Sequence, residues 1–189
     1  MKIFVNGIQR TGTNYTRELL QINTDYEVNE YQPPYWKHDT FSGIIPECDL
    51  IYCVIKNPYT WIESICFRNC VDIIEKNPHL YNNKDYLGPF KINLIEACKL
   101  YKTFYSSWIK YGVKLIHYED LLNESYLKEL LNKEKVIIPQ KVNFSHNFKY
   151  DYIEYYKNYQ LFHLNDNHIN VINEILGNDF LEIIGYTKK

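Results

Sequence analysis

The sequence is poor in several things that would have narrowed its class at once. It has almost no alanine and one methionine in 189 residues, with tyrosine, asparagine, lysine and isoleucine in their place. That is the coding bias of an AT-rich genome, viral or bacterial, and says nothing of chemistry. No run approaches the roughly 18 to 20 apolar residues of a membrane span, so no membrane contact is expected. The start enters a strand pattern without a basic region and a long apolar run, so no secretory leader is expected. Positive charge is not in surplus: 21 Lys and Arg face 23 Asp and Glu, a net charge of −2. That excludes the bulk basic field on which a general nucleic-acid binder draws. Repeats, linkers and low-complexity stretches are absent. The five cysteines are Cys48, Cys53, Cys66, Cys70 and Cys98. Their number is odd and no pair has zinc-ribbon spacing. Cys66 and Cys70, four apart on an expected helix, read as buried free thiols, and no metal is implied.

What is present is a globular composition, 46% hydrophobic, on a length that fits one domain over residues 1–189. Residues 2–6 read as a short buried strand and 13–22 as a helix. Residues 26–29 suggest a second strand. Gln32-Pro33-Pro34-Tyr35 is expected to be a loop, because proline donates to no ladder and breaks helices. Residues 50–55 form an unbroken apolar run, the pattern of a central strand covered on both faces. Asn57-Pro58 ends it and opens a helix over 59–70. Residues 75–89, with Asn, Pro and Gly, read as a long surface loop. A long helix is expected over 92–111, a strand over 113–117, a helix over 119–131 and a short strand over 136–138. Weaker helical patterns cover 150–159 and 165–176. This alternation predicts an α/β fold: a central, mainly parallel sheet flanked by helices. Ligands of such sheets bind beyond the carboxyl ends of the strands. That rule selects the segments after Asn6, after Ile55 and after His117.

The first segment is Gly7-Ile8-Gln9-Arg10-Thr11-Gly12-Thr13-Asn14. A loop between a strand and a helix offers backbone N–H groups and the positive helix end, which suit phosphate or sulfate. Gly12 permits close approach, Thr11, Thr13 and Asn14 bring polar side chains, and Arg10 brings a charged fork. The plain alternative is a strand–turn–helix joint with Thr13 as N-cap. The Gly7-to-Gly12 spacing equals that of a P-loop, but Thr13-Asn14 follows where an ATPase has lysine and a metal-holding hydroxyl. A nucleotide kinase is therefore disfavoured. Asn14-Tyr15-Thr16 is also a glycosylation sequon inside this loop. A glycan there would block the site, which points to a cytoplasmic location.

Arg10-Thr11-Gly12-Thr13-Asn14-Tyr15 resembles the 5′-phosphosulfate loop of sulfotransferases that use 3′-phosphoadenosine 5′-phosphosulfate. Those enzymes carry Lys or Arg, then Ser or Thr, Gly and Thr, at the start of the first helix. They also carry a basic residue at the end of a central strand and a serine eight residues later, which clamp the 3′-phosphate. Lys56 and Ser64 stand at that spacing here. The family more often has arginine; Lys56 keeps the charge and loses the fork. Ile116-His117-Tyr118-Glu119-Asp120-Leu121-Leu122 resembles the family's Tyr-Glu-Asp-Leu segment. Phe180-Leu181-Glu182-Ile183-Ile184-Gly185-Tyr186 is similar to its closing helix and Gly-Tyr. The Gly-rich C-terminal cofactor motif of cytosolic members is missing, and His146, Lys149 and Tyr150 read as surface residues.

The resemblance implies a P-loop nucleoside triphosphate hydrolase-like three-layer fold. It also implies transfer of a sulfuryl group from 3′-phosphoadenosine 5′-phosphosulfate to a small-molecule, carbohydrate or other acceptor, leaving 3′-phosphoadenosine 5′-phosphate. Arg10, Thr11, Gly12, Thr13, Asn14, Tyr15, Lys56 and Ser64 would hold the nucleotide. The alternatives are a P-loop-like nucleotide kinase and an inactive nucleotide binder of the same fold. In-line sulfuryl transfer needs a base for the acceptor and a cation for the growing charge. Trp36-Lys37-His38-Asp39 lies where family members keep a lysine close to a catalytic histidine. His38 is the expected base and Lys37 the expected sulfuryl stabiliser, against the reading of two solvated loop residues. His79, His163 and His168 fall in loops or weak helices. His117 reads as structural, Glu119 and Asp120 as helix N-terminal charges, and Trp61 as core.

Overall fold

The computed structural model describes residues 1–68, 92–139 and 164–189. Cys70, His79, the loop over 75–89, His146, Lys149, the tyrosine-rich stretch over 150–159 and His163 lie outside the described residues. The chain folds as two compact units. One comprises Met1–Lys56 and Ser106–Gln160, the other Asn57–Tyr105 and Leu161–Lys189.

The first unit is built on four parallel strands: β1 (Lys2–Asn6), β2 (Glu27–Asn29), β5 (Leu50–Ile55) and β6 (Lys114–His117), in the order β2-β1-β5-β6. The fold is the expected α/β type with a parallel sheet flanked by helices. The central strands β1 and β5 are buried on both faces over Ile3 to Asn6 and Tyr52 to Ile55. That is why they carry no polar alternation. On one face Ile3, Val5, Val28, Val54 and Ile116 pack with Leu19 and Leu20 of α1 (Thr13–Asn23) and with Leu127. On the other face Phe4 meets Trp108, whose ring also meets Tyr35 and Phe41. Each fully buried side chain of this size stabilises by about 1.5 to 3 kcal/mol relative to exposure.

Three expectations need correction here. Gln32-Pro33-Pro34-Tyr35 is not a plain loop: β3 (Tyr31–Gln32) pairs antiparallel with β4 (Tyr35–Trp36). The prolines occupy the turn itself, where no ladder N–H is needed. Tyr35 anchors the hairpin, stacked on Phe41 and accepting from the N–H groups of Ser42 and Ile44. Residues 119–131 are not one helix. A 3-10 turn (Asp120–Leu122) is followed by a separate helix, Glu124–Leu131. Asn123 breaks them, because its side chain accepts from the N–H groups of Ser125 and Tyr126. Residues 136–138 form no strand. The Asn23 side chain donates to the Ile137 carbonyl and accepts its N–H, both at 2.6 Å. One amide side chain thus does what a neighbouring strand would do.

In the second unit, the helix expected over 59–70 ends sooner: α2 (Pro58–Glu63) passes into a π-helical segment, Ser64–Arg68. The helix α3 (Leu94–Ile109), which belongs to this unit as far as Tyr105, replaces the expected 92–111. Two further helices follow, Asp166–Leu176 and Asn178–Ile183. The first is capped by Asn165 and His168 acting reciprocally, which gives His168 a structural role. Trp61 is fully buried against Tyr101, as a core residue. Among the described residues no helix is long and apolar enough to cross a membrane.

Candidate functional site

Parallel pairing brings the carboxyl ends of β1, β5 and β6 to one sheet edge, with Asn6 opposite Cys53 and Ile55 opposite His117. The loop from Gly7 to Gly12 leaves that edge and enters α1. Its glycines are dictated by space. A Cβ at Gly7 would lie 2.5 Å from the Val54 carbonyl oxygen and 2.8 Å from Thr11 Oγ1. A Cβ at Gly12 would lie 2.1 and 2.2 Å from ring carbons of Tyr118, and Gly12 has φ 91°. The segment after β6 therefore walls the loop that follows β1. Arg10 is exposed at φ 70°, a left-handed conformation unusual for a side chain of its size.

The helix α1 starts without a side-chain cap, since Gly12 and not Thr13 occupies the N-cap position. That corrects the alternative in which Thr13 closes the turn. Its first backbone bond runs from the Thr16 N–H to the Gly12 carbonyl at 2.9 Å. No acidic side chain stands in the first turn. The first-turn N–H groups have no intrahelical acceptor, and the positive helix end is uncompensated by charge.

Two of the predicted ligand residues have hydrogen-bond partners within the fold. Thr11 is fully buried, and its hydroxyl donates to the Ile8 carbonyl at 2.6 Å. That bond closes the loop and commits the hydroxyl proton. Tyr15 points into the core. It is 1% exposed, its hydroxyl donates to the Leu121 carbonyl, and its ring meets Tyr118 edge-on. Tyr15 and Leu19 lie one helical turn apart on the core face. Burial pushes the Tyr15 hydroxyl up to about 12, assisted by the charge of Glu18.

Lys37 and His38 dock onto the start of the loop from thirty residues away. The Gly7 N–H donates to the Lys37 carbonyl at 2.8 Å. His38 Nδ1 lies 2.6 Å from the Gly7 carbonyl oxygen. A carbonyl only accepts, so Nδ1 carries the proton and the neutral ring offers Nε2 as its acceptor. Burial holds the His38 pKa below its ordinary 6.5, more than the Gly7 bond raises it. The Trp36 ring lies edge-on to His38, with centroids 4.5 Å apart.

Lys37 is 8% exposed, and its ammonium donates to Asn14 Oδ1 at 2.6 Å and Glu30 Oε1 at 2.8 Å. Lys37 thus touches both ends of the segment Gly7 to Asn14. Glu30 Oε1 also pairs with Arg17 Nη1. Sequence reasoning missed both Glu30 and Arg17. Arg17 had a signal: it follows Asn14 by three on α1, hence on the same face. Glu30 had none, since the β3–β4 hairpin separates it from Lys37. A third residue missed is Asn6, fully buried at the end of β1, whose amide has no partner among the described residues.

The second predicted anchor is divided between the units. Lys56, in the first, follows β5 and is buried. Ser64, in the second, opens the π-helical segment and donates its hydroxyl to the Trp61 carbonyl at 2.7 Å. His117 Nδ1 stands 3.7 Å from Asp120, and Glu119 and Asp120 are exposed. No protein-family model, curated protein or solved structure matches this chain.

Proposed function

We propose that this chain is a sulfotransferase with a P-loop-like three-layer fold. It would move a sulfuryl group from 3′-phosphoadenosine 5′-phosphosulfate to a hydroxyl or amine of an acceptor. The observation that carries the reading is the docking of Lys37 and His38 on Gly7. It ties a neutral imidazole to the first residue of the loop that leads into an uncapped helix start, which supports a reading of His38 as base and the loop as anion cradle. Bound nucleotide supplies an activated sulfuryl group. The N–H groups at the start of α1 and the Arg10 fork bind its 5′ end, and Lys56 its 3′-phosphate. His38 Nε2 takes the acceptor's proton as the acceptor atom bonds to sulfur. The bond from sulfur to the bridging oxygen breaks, and 3′-phosphoadenosine 5′-phosphate leaves. Lys37 stabilises the growing negative charge. A cytoplasmic setting belongs to the proposal, because the buried thiols of Cys53 and Cys98 persist in a reducing compartment.

One observation favours a second reading, nucleotide binding without turnover: the Lys37 ammonium is already neutralised by Glu30. The test is a calorimetric titration with 3′-phosphoadenosine 5′-phosphate, in parallel with magnesium-ATP. The expected result is saturable binding of the bisphosphate. Silence with it, alongside binding of magnesium-ATP, ends the sulfotransferase reading in favour of a kinase. Binding without sulfate transfer to any of a panel of phenols, sugars and amines supports the second reading.

A further inference from the structure

Two cations approach one oxygen beside the loop. Glu30 Oε1 receives Lys37 Nζ at 2.8 Å and also pairs with Arg17 Nη1. The carboxylate is an incomplete occupant of that place. Arg17 Nε is buried and has no partner among the described residues. A guanidinium presents parallel donors that suit a phosphate or sulfate, with its several oxygens, in fork geometry. Glu30 is half-buried, and its backbone is fixed independently, because the Lys37 N–H donates to the Glu30 carbonyl at 2.8 Å. Its side chain can therefore leave without moving the strands.

We propose that Arg17 and Lys37 form a subsite for a phosphate or sulfate oxyanion, which Glu30 fills as an internal counter-ion until a ligand displaces it. The inference rests on the anion-binding reading above and extends it to Arg17, a residue outside the loop. Displacement would do two things at once. It would release the Lys37 ammonium toward the ligand, and it would let Arg17 use Nε as well as Nη1. In the absence of ligand, Glu30 keeps two cations from facing each other unpaired.

The test uses the full chain and two probes, 3′-phosphoadenosine 5′-phosphate and inorganic pyrophosphate, titrated by calorimetry. Glu30→Gln keeps the shape and removes the competing charge, so both probes should bind about tenfold more tightly. That gain should vanish in Glu30→Gln/Arg17→Met and in Glu30→Gln/Lys37→Met, since a coupled pair is not additive. Glu30→Asp, which withdraws the carboxylate by one methylene, should give part of the gain and serves if the glutamine variant folds poorly. Unchanged or weaker affinity in both position-30 variants overturns the proposal. So does a gain that survives loss of Arg17 or Lys37, because it would be a general field effect. If the nucleotide never binds while pyrophosphate shows the coupled gain, the subsite stands and the sulfotransferase reading falls.

Discussion

The chain makes the same junction twice, strand to turn to helix, and finishes it in opposite ways. After β5, Asn57 places its side chain on the N–H groups of Tyr59 and Thr60, and Pro58 removes a donor at the first helical position. That helix start is closed by its own residues. After β1, the turn is longer, Gly12 stands at the cap with no side chain to offer, and no acidic residue stands in the first turn. That helix start is left for something else to complete. The difference teaches where to look for a ligand. The helix start after β5 satisfies itself within three residues; the one after β1 does not, and Lys37 has been brought against Asn14 in its first turn.

The comparison can be broken most severely at Gly12. Gly12→Ala should lower stability by about 3 kcal/mol. The left-handed turn costs roughly 1 to 2 kcal/mol for a residue with a Cβ, and overlap with the Tyr118 ring roughly 1 to 3. Urea unfolding measures the loss, and nucleotide binding should disappear with it. A loss under about 1 kcal/mol would mean that Tyr118 yields and is not a wall.

The matching change in the closed turn is milder. Asn57→Ala removes a cap and should cost about 1 kcal/mol in the same measurement. If it costs as much as Gly12→Ala, the two turns do not differ in the way described.

The smallest effect separates them by pH. The open turn is tied to an imidazole, His38 on Gly7. Its pKa is depressed in the fold, so as pH falls the unfolded chain takes the proton first. The stability contribution is fully present above pH 6.5, the ordinary value, and is lost as pH falls through the folded pKa. Wild type should therefore lose more thermal stability than His38→Asn between pH 7.5 and 5.5. On the sulfotransferase proposal, the same low pKa keeps the imidazole neutral, so kcat/KM for sulfate transfer should hold below pH 6.5. Parallel melting curves for wild type and variant would remove the pinned, neutral imidazole from the account.

The sequence was most legible where one physical pressure acted alone. The strands over 2–6 and 50–55 were readable because burial on both faces leaves an apolar run. Asn57-Pro58 was readable because capping is local. The hairpin around Pro33-Pro34 was misread, because proline forbids pairing only at its own position and its neighbours pair freely. The strand expected at 136–138 is apolar enough, but Asn23 took its backbone bonds. Tyr15 was placed in the site by its position in a motif, and helical phase turned it into the core.

By itself, the sequence determined the parallel α/β plan, the glycine-bearing turn before α1 and the presence of Lys37 and His38 as candidates. These follow from burial, turn sterics and side-chain chemistry, which act over a few residues. Only the tertiary structure decided that Lys37 and His38 close on Gly7, that Tyr15 bonds to Leu121, and that Glu30 stands between Lys37 and Arg17. Those outcomes depend on which segments the sheet order and the β3–β4 hairpin bring side by side. No local pattern encodes the distance between residues that meet only after folding.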